Sequence, residues 1–419
     1  MNLETRVLRF GSVYFALFTI YGVATPYLQI LVRGLGYSPS AVGVLLGLFE
    51  IAGVAGPLLL GGISDRARSP RPVLLGLALA STAALLPLIL VPRFLVTALS
   101  LALLALGVRG LVPFTDAAAV AMGESSGPGR GSAEYGKIRV FGSAGFIVTA
   151  LILQSIPGFD QSPPGRIALF LALAAAIFCA SLLILPLRSA ARKAPARREP
   201  EGARRIDPVF ALGIAVIALG RIAMAPISSF LSLYVTEDLK WNAVGGLWAI
   251  SACAEMPLMV IAGRIVRRTG PMGAIAIASG AVALRLSIYA LFPSPAGVIA
   301  GQLFHSLAYG LFQPAAVAFV ALRVPPERRS RGMAAFMGFG VGLPTFIGSS
   351  VGGFVVQALG YRVLFASFTV FAVASVVLYF VSRSRFSELV PAMPADAASS
   401  SNRPIGRSST QEASRDSPR

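Results

Sequence analysis

The chain has 419 residues, of which 55% are hydrophobic and 13% charged, with a formal net charge of +18 and a mean hydropathy of +0.75. A soluble chain carries about 25% charged residues, so these proportions exclude an ordinary soluble globular protein. They also exclude a nucleic-acid-binding domain, because no segment between the apolar runs is long enough to fold and present its basic residues on one face.

Runs of about twenty apolar residues, each sufficient to cross a hydrocarbon core of roughly 30 Å as a helix, follow one another along the chain. Twelve are predicted, at about 10–32, 41–63, 72–91, 94–119, 137–157, 166–187, 208–235, 243–265, 271–292, 296–321, 333–357 and 361–382. They do not alternate apolar and polar residues as barrel strands do, so the expected fold class is an all-α membrane protein with twelve transmembrane helices. The opening residues MNLETRVLRF lead into the first run without a small-residue cleavage site, and an uncleaved helix is expected there. Cys179 and Cys253 both fall inside apolar runs with no local His or Asp, a setting for small packing residues and not for a disulfide framework or a metal site.

Basic residues alternate in density between successive loops. Arg6, Arg9, Arg66, Arg68, Arg71, Arg130, Lys137, the cluster from Arg188 to Arg205, Arg264, Arg267, Arg268, Arg323 to Arg331, Arg383 and Arg385 fall on one side. Only Arg33, Arg93, Arg166, Lys240 and Arg362 fall on the other. The positive-inside rule then puts both termini and the long middle loop in the cytoplasm, in a multi-pass cell (inner) membrane protein whose basic loops neighbour anionic lipid headgroups.

Residues 188–207, rich in Arg, Pro and Ala, read as a cytoplasmic linker between an N-terminal half, 1–187, and a C-terminal half, 208–385, of six helices each. Residues 386–419, rich in Ser and Pro, are expected to form a disordered cytoplasmic tail. An internal repeat supports the division. Ala41-Val42-Gly43 opens the second span and Ala243-Val244-Gly245 the eighth; Gly61 with Asp65-Arg66 matches Gly263 with Arg267-Arg268 at the same offset; Gly110-Leu111 with Pro113 faces Gly310-Leu311 with Pro314. Two parallel six-helix halves joined by a cytoplasmic loop resemble the major facilitator superfamily, in which the substrate site lies near mid-membrane between pseudo-symmetric halves.

Particular motifs strengthen that resemblance. Gly61, Asp65, Arg66 and Arg71 look like the superfamily signature between helices 2 and 3, with Ser69-Pro70 where a glycine is usual, and they imply a gate contact made by Asp65 and Arg66. Pro113-Phe114-Thr115-Asp116, followed by Tyr135-Gly136-Lys137-Ile138-Arg139-Val140-Phe141-Gly142-Ser143, resembles the phenylpropionate-permease-like branch, with Phe141 where relatives more often have tryptophan. That branch implies proton-coupled import of aromatic acids. Independently of family, Asp116 and Arg139 lie at similar depth on consecutive helices, where opposite charges offset each other's desolvation. A conformational latch, a purely structural pair and a direct substrate contact are the three readings of this pair.

Deeper in the spans stand Glu50, Arg109, Arg221, Glu255, Arg285 and His305, with Gln302 one turn before His305. A carboxylate or imidazole carries protons where its pKa moves towards physiological pH, whereas arginine remains a fixed cation. Glu255 and His305, the only histidine, are therefore candidates for proton coupling, and the arginines for binding a substrate anion. The alternatives are that Glu50 pairs with Arg109, and that Arg221 or Arg285 pairs with Glu255, as structural ion pairs. Tyr21, Tyr27, Gln29 and Tyr234 belong to helices that line the cavity in the superfamily.

The expected function is secondary active transport by alternating access, importing a small organic solute with protons. Proton-coupled efflux of amphipathic compounds uses the same residues, and a membrane sensor or scaffold recruiting a partner through the tail is the alternative from another class. No G-x-x-x-x-G-K-[ST] loop occurs, and neither an enzymatic constellation nor a cofactor is expected. The expected partners are a small-molecule substrate, protons and the lipid bilayer, with a monomeric protein and no nucleic acid.

Overall fold

A computed structural model describes residues 3–66, 69–124, 130–184, 207–325 and 328–386; the side chains at 3–6, 57–66, 120–124, 130–135 and 184 lie outside that description. The first six helices are α1 (Leu3–Gly34), α2 (Pro39–Arg66), α3 (Pro70–Leu90), α4 (Phe94–Glu124), α5 (Arg130–Ser155) and α6 (Pro164–Ile184). The second half opens with α7 (Pro208–Leu233). Two long helical stretches follow, each broken by one left-handed glycine. Gly270, with φ 72°, separates α8 (244–269) from α9 (271–291). Gly360, with φ 82°, separates α11 (329–359) from α12 (361–386). Between these stretches α10 spans Pro295–Arg323.

Among the described residues, the helical stretches long and apolar enough to span a membrane number ten. The two positive-φ glycines reconcile that number with the twelve expected spans. Glycine alone enters this backbone region without steric cost, so the chain reverses at one residue and needs no loop. Elsewhere punctuation is conventional. Proline opens α2, α3, α6, α7 and α10, where the missing N–H is one the helix leaves unpaired anyway. Ser69, Asp207 and Ser294 cap α3, α7 and α10 with their side chains. Large apolar side chains such as Leu86, Leu99, Leu183, Val370 and Val381 are exposed, as expected where the solvent is hydrocarbon. The linker expected at 188–207 and the tail expected at 386–419 lie, apart from Asp207 and Phe386, outside the described residues.

The two halves meet closely at the end that carries the α1–α2, α5–α6 and α7–α8 connections, here termed the loop end. A side-chain carbon on Gly43 of α2 would collide with Ser349 O and come within 2.9 Å of Gly353 Cα, both on α11. One on Gly245 of α8 would collide with Ala150 O of α5. These are the glycines of the repeated Ala-Val-Gly. The sequence repeat therefore marks the same event in each half, a helix start pressed backbone to backbone against the opposite half.

Substituting Gly43→Val or Gly245→Val is expected to force the halves apart, at a cost of about 1–3 kcal/mol for an overpacked site. Thermal melting should drop, and a thiol placed by Ser232→Cys should react faster with a maleimide. Unchanged labelling in both variants would contradict the assigned packing.

Candidate functional site

The cleft between the halves has a differently charged face on each side. On the first-half face, Arg109 of α4 donates through Nη2 to Glu50 Oε1 of α2 at 2.5 Å. The pair forms because Gly53, one turn from Glu50, leaves room: a Cβ there would lie 2.6 Å from Arg109 Cγ. The guanidinium also lies 5.6 Å from the Phe49 ring centroid, and the Tyr21 hydroxyl donates to Val108 O at 2.7 Å. The ion pair of Glu50 with Arg109, one of the alternatives, is formed.

Asp116 and Arg139 also meet, at 3.7 Å. Their surroundings define a three-helix brace. The Tyr14 hydroxyl of α1 donates to Asp116 Oδ1 at 2.5 Å, and the Arg139 guanidinium lies 4.8 Å from the Phe18 ring centroid. All these residues belong to the first half, so the brace ties α1, α4 and α5 together. Asp65 and Arg66 close α2, and their side chains lie outside the described residues.

The second-half face is organised by a π-helical turn, Ser306–Gly310, inside α10. Such turns shift the helical register and often mark functional positions. Here the turn presents Tyr309, stacked on His305 with ring centroids 5.3 Å apart and 5.9 Å from Arg221 Cζ of α7. Phe312 lies 5.5 Å from the same Arg221 carbon, and Trp248 sets its ring edge-on to His305. Gly310 leaves the space Glu255 fills, since a Cβ there would be 3.2 Å from Glu255 Cγ.

Arg285 of α9 is fully buried. Its Nη2 donates to Gln302 Oε1 at 2.5 Å and to the Tyr289 hydroxyl at 3.4 Å, while Gln302 Nε2 donates to Leu247 O at 3.4 Å. Arg285 Nε and Nη1, Arg221 Nε and His305 Nδ1 have no hydrogen-bond partner. Among the described residues neither Arg221 nor Arg285 has a carboxylate within ion-pair range, and Glu255 is in no ion pair. The structural pairing of these arginines with Glu255, one of the expected alternatives, is therefore not formed; Arg285 is held by Gln302 and Tyr289 instead.

Tyr27 and Gln29 sit in the loop-end seam. Gln29 Nε2 donates to Ser228 O at 2.8 Å, and its Oε1 accepts from Ser232 N at 3.0 Å. Those two backbone groups are the members of one helical rung of α7, so one carboxamide of the first half reads a rung of the second. Arg33 pairs with Glu237 at 2.8 Å, and Tyr361 donates to the other Glu237 oxygen at 2.6 Å. Tyr27 donates to Asp160 Oδ1 at 3.0 Å. Asp160 lies in the α5–α6 connection outside both spans; burial lifts its carboxyl above the usual carboxylate range, opposed by the bonds from Val244 N and Tyr27. Gln29, Arg33, Ser40, Gln154, Asp160 and Gln161 all take part in hydrogen bonds that join the two halves at this end.

Comparison with known proteins agrees with this architecture. The MFS_1 like family model matches residues 7–367. The chain belongs to the MFS_1-like family. It is an all-helical transporter of the major facilitator type and resembles the phenylpropionate permeases. A probable 3-phenylpropionic acid transporter of Escherichia coli (strain K12) is 26% identical over 382 residues, covering 86% of this chain and 93% of that protein. A maltose permease of Geobacillus stearothermophilus is 25% identical over 382 residues, covering 90% and 94%. The crystal structure of the nucleoside transporter NupG superposes with a TM-score of 0.73 at 20% identity, over 92% of this chain and 100% of that one.

Sequence reasoning missed several residues that this MFS_1-like protein brings to the cleft and seam. Tyr14, Trp248 and Tyr309 lie in apolar runs that do not single them out; a tyrosine four residues after the lone histidine was the available signal for Tyr309. Glu237 and Asp160 sit in short loop-end connections, where acids are few but look like ordinary interfacial charges.

The brace is testable on its own. Tyr14→Phe removes a bond to a charged acceptor and should cost about 1.5 kcal/mol, the lower end for such bonds, because Asp116 is partly exposed. Arg139→Lys, which loses the planar contact with Phe18, should lower the melting temperature comparably. A combined variant that loses the sum of the two would show that Tyr14 and Arg139 do not act through the shared Asp116.

Proposed function

We propose that this transporter imports a small carboxylate with an aromatic or similarly apolar body, together with protons. One observation carries the reading: Arg221 and Arg285, both buried in the second half, have no carboxylate partner among the described residues. A guanidinium does not release its proton, and an isolated ion in a membrane interior costs several kcal/mol. A substrate carboxylate offsets that cost when it enters. Arg221 stands beside Tyr309 and Phe312 and is the contact cation; Arg285, behind Gln302, adds positive potential.

The rings of Trp248, His305, Tyr309 and Phe312 supply a surface for the apolar body. The E. coli relative is named for such a molecule, a carboxylate joined to a phenyl ring. The maltose permease has nearly the same identity to this chain, so family membership does not choose between an acid and a sugar. The unpaired arginines favour the acid.

Glu255 is the proton carrier in this reading, with His305 as the second titrating group. Glu255 has no ion pair among the described residues, and a carboxyl without a fixed partner takes up or releases its proton as water enters or leaves its surroundings. Basic residues concentrate on the terminal side, which by the positive-inside rule is cytoplasmic. The loop-end seam then closes the outer side.

Proteoliposomes with an inward proton gradient should accumulate radiolabelled 3-phenylpropionate, and absence of both accumulation and counterflow would overturn the import reading. Arg221→Gln should lower uptake at limiting substrate by roughly ten-fold or more, as expected for a lost charge-assisted contact of about 1.5–3 kcal/mol. Glu255→Gln should abolish gradient-driven accumulation and leave counterflow. A pH dependence identical to the parent's would remove Glu255 from the coupling role.

A further inference from the structure

Helix α8 begins without a cap of its own. Its N-cap position is Ala243, at φ −143° and ψ 23°, with no side-chain hydrogen bond to the helix, and alanine is among the poorest residues there. The equivalent helix of the other half does not share this defect, because Ser38 Oγ accepts from Ala41 N at the start of α2. Asn242, the next polar residue before α8, is engaged elsewhere: its Oδ1 accepts from Gln161 Nε2 at 3.2 Å, and its carbonyl accepts from Gln154 Nε2 at 2.9 Å.

The first half supplies what α8 lacks. Asp160 Oδ2 accepts from Val244 N at 2.9 Å, and Gln154 Oε1 accepts from Gly246 N at 3.1 Å. The other Asp160 oxygen is held by Tyr27 of α1, which fixes the carboxylate's direction. Asp160 is 3% exposed, Val244 1% and Tyr27 fully buried. A carboxylate at a helix N-terminus satisfies an orphan donor and meets the positive end of the helix dipole. Here that interaction lies between the halves. It exists only while the loop end is shut, because separating α5 from α8 withdraws the carboxylate.

We propose that Asp160 is the latch of the loop-end gate: carried by the first half, it caps α8 of the second half and holds the seam closed. Gly245 makes the capture possible, since α8 can bring its first N–H groups to Asp160 only if its backbone also passes against Ala150 O. Asp160 is a positioning residue and touches no substrate. The proposal rests on rocking of the halves and not on the identity of the solute or the coupling ion.

The test measures the gate directly, without substrate. Cys179 and Cys253 are replaced, and spin labels are attached through Gly165→Cys, at a site with open space around it, and Asp238→Cys. Electron–electron distance measurements should give one short population in the parent. Asp160→Ala should add a longer population and raise the reactivity of a Ser232→Cys thiol by roughly five-fold or more, in keeping with the loss of a helix cap. Asp160→Asn, whose side chain caps equally well, should restore the parent behaviour.

Val244→Pro deletes the donor from the opposite side at a position where proline suits a helix start. It should open the seam as Asp160→Ala does, with no further effect when the two are combined. Parent-like distances in Val244→Pro, or opening in Asp160→Asn equal to that in Asp160→Ala, would overturn the proposal. Failed transport of 3-phenylpropionate with an intact distance shift would count against the substrate assignment alone.

Discussion

The arrangement depends on bare backbone meeting backbone between the halves at the loop end. Two glycines, Gly43 and Gly245, let α2 and α8 press against α11 and α5, closer than any side chain would permit. In lipid there is little hydrophobic gain from helix association, so close packing and polar contact have to supply the attraction. Close approach also brings backbone amides within reach of side chains from the other half. Gln29 reading a rung of α7 and Asp160 meeting the first N–H of α8 both follow from it. Contacts to backbone groups at a seam are easily replaced by water when the seam opens, which suits a surface that must form and dissolve in each transport cycle.

Charge is distributed between the halves according to the same physics of low dielectric. In the first half the deep charges among the described residues have opposite partners: Glu50 with Arg109 and Asp116 with Arg139. That half offers a preformed wall whose charges already cancel. In the second half Arg221, Arg285 and Glu255 are left without such partners among the described residues. A protein keeps buried charges unpaired where something else completes them, which is the part the proposed function gives to solute and proton. The π-helical turn in α10 places Tyr309 and Gly310 so that Arg221, His305 and Glu255 gather around one short stretch of helix.

Much of this was legible in the amino-acid order. The apolar runs were long enough that only helices crossing a membrane could satisfy their backbone, and the repeat at Gly43 and Gly245 told of two equivalent halves. The pair of Asp116 and Arg139 followed from similar depth on consecutive helices. The sequence did not reveal that Gly270 and Gly360 turn the chain in a single residue, because a glycine beside an apolar run reads equally well as part of a helix. Nor did it reveal that Tyr27 and Gln29 face the seam, since which side of α1 meets the other half is a property of packing.

By itself, then, the sequence determined the solvent, the helix count, the duplicated plan and the set of side chains too polar for their surroundings, because each of these is a cost or a length counted along one chain. Only the tertiary structure decided which charges cancel and which remain. It also decided that Asp160, an unremarked acid in a short connection, meets the uncapped start of a helix 84 residues away. Pairing is set by distance and direction across elements, and a single sequence carries neither.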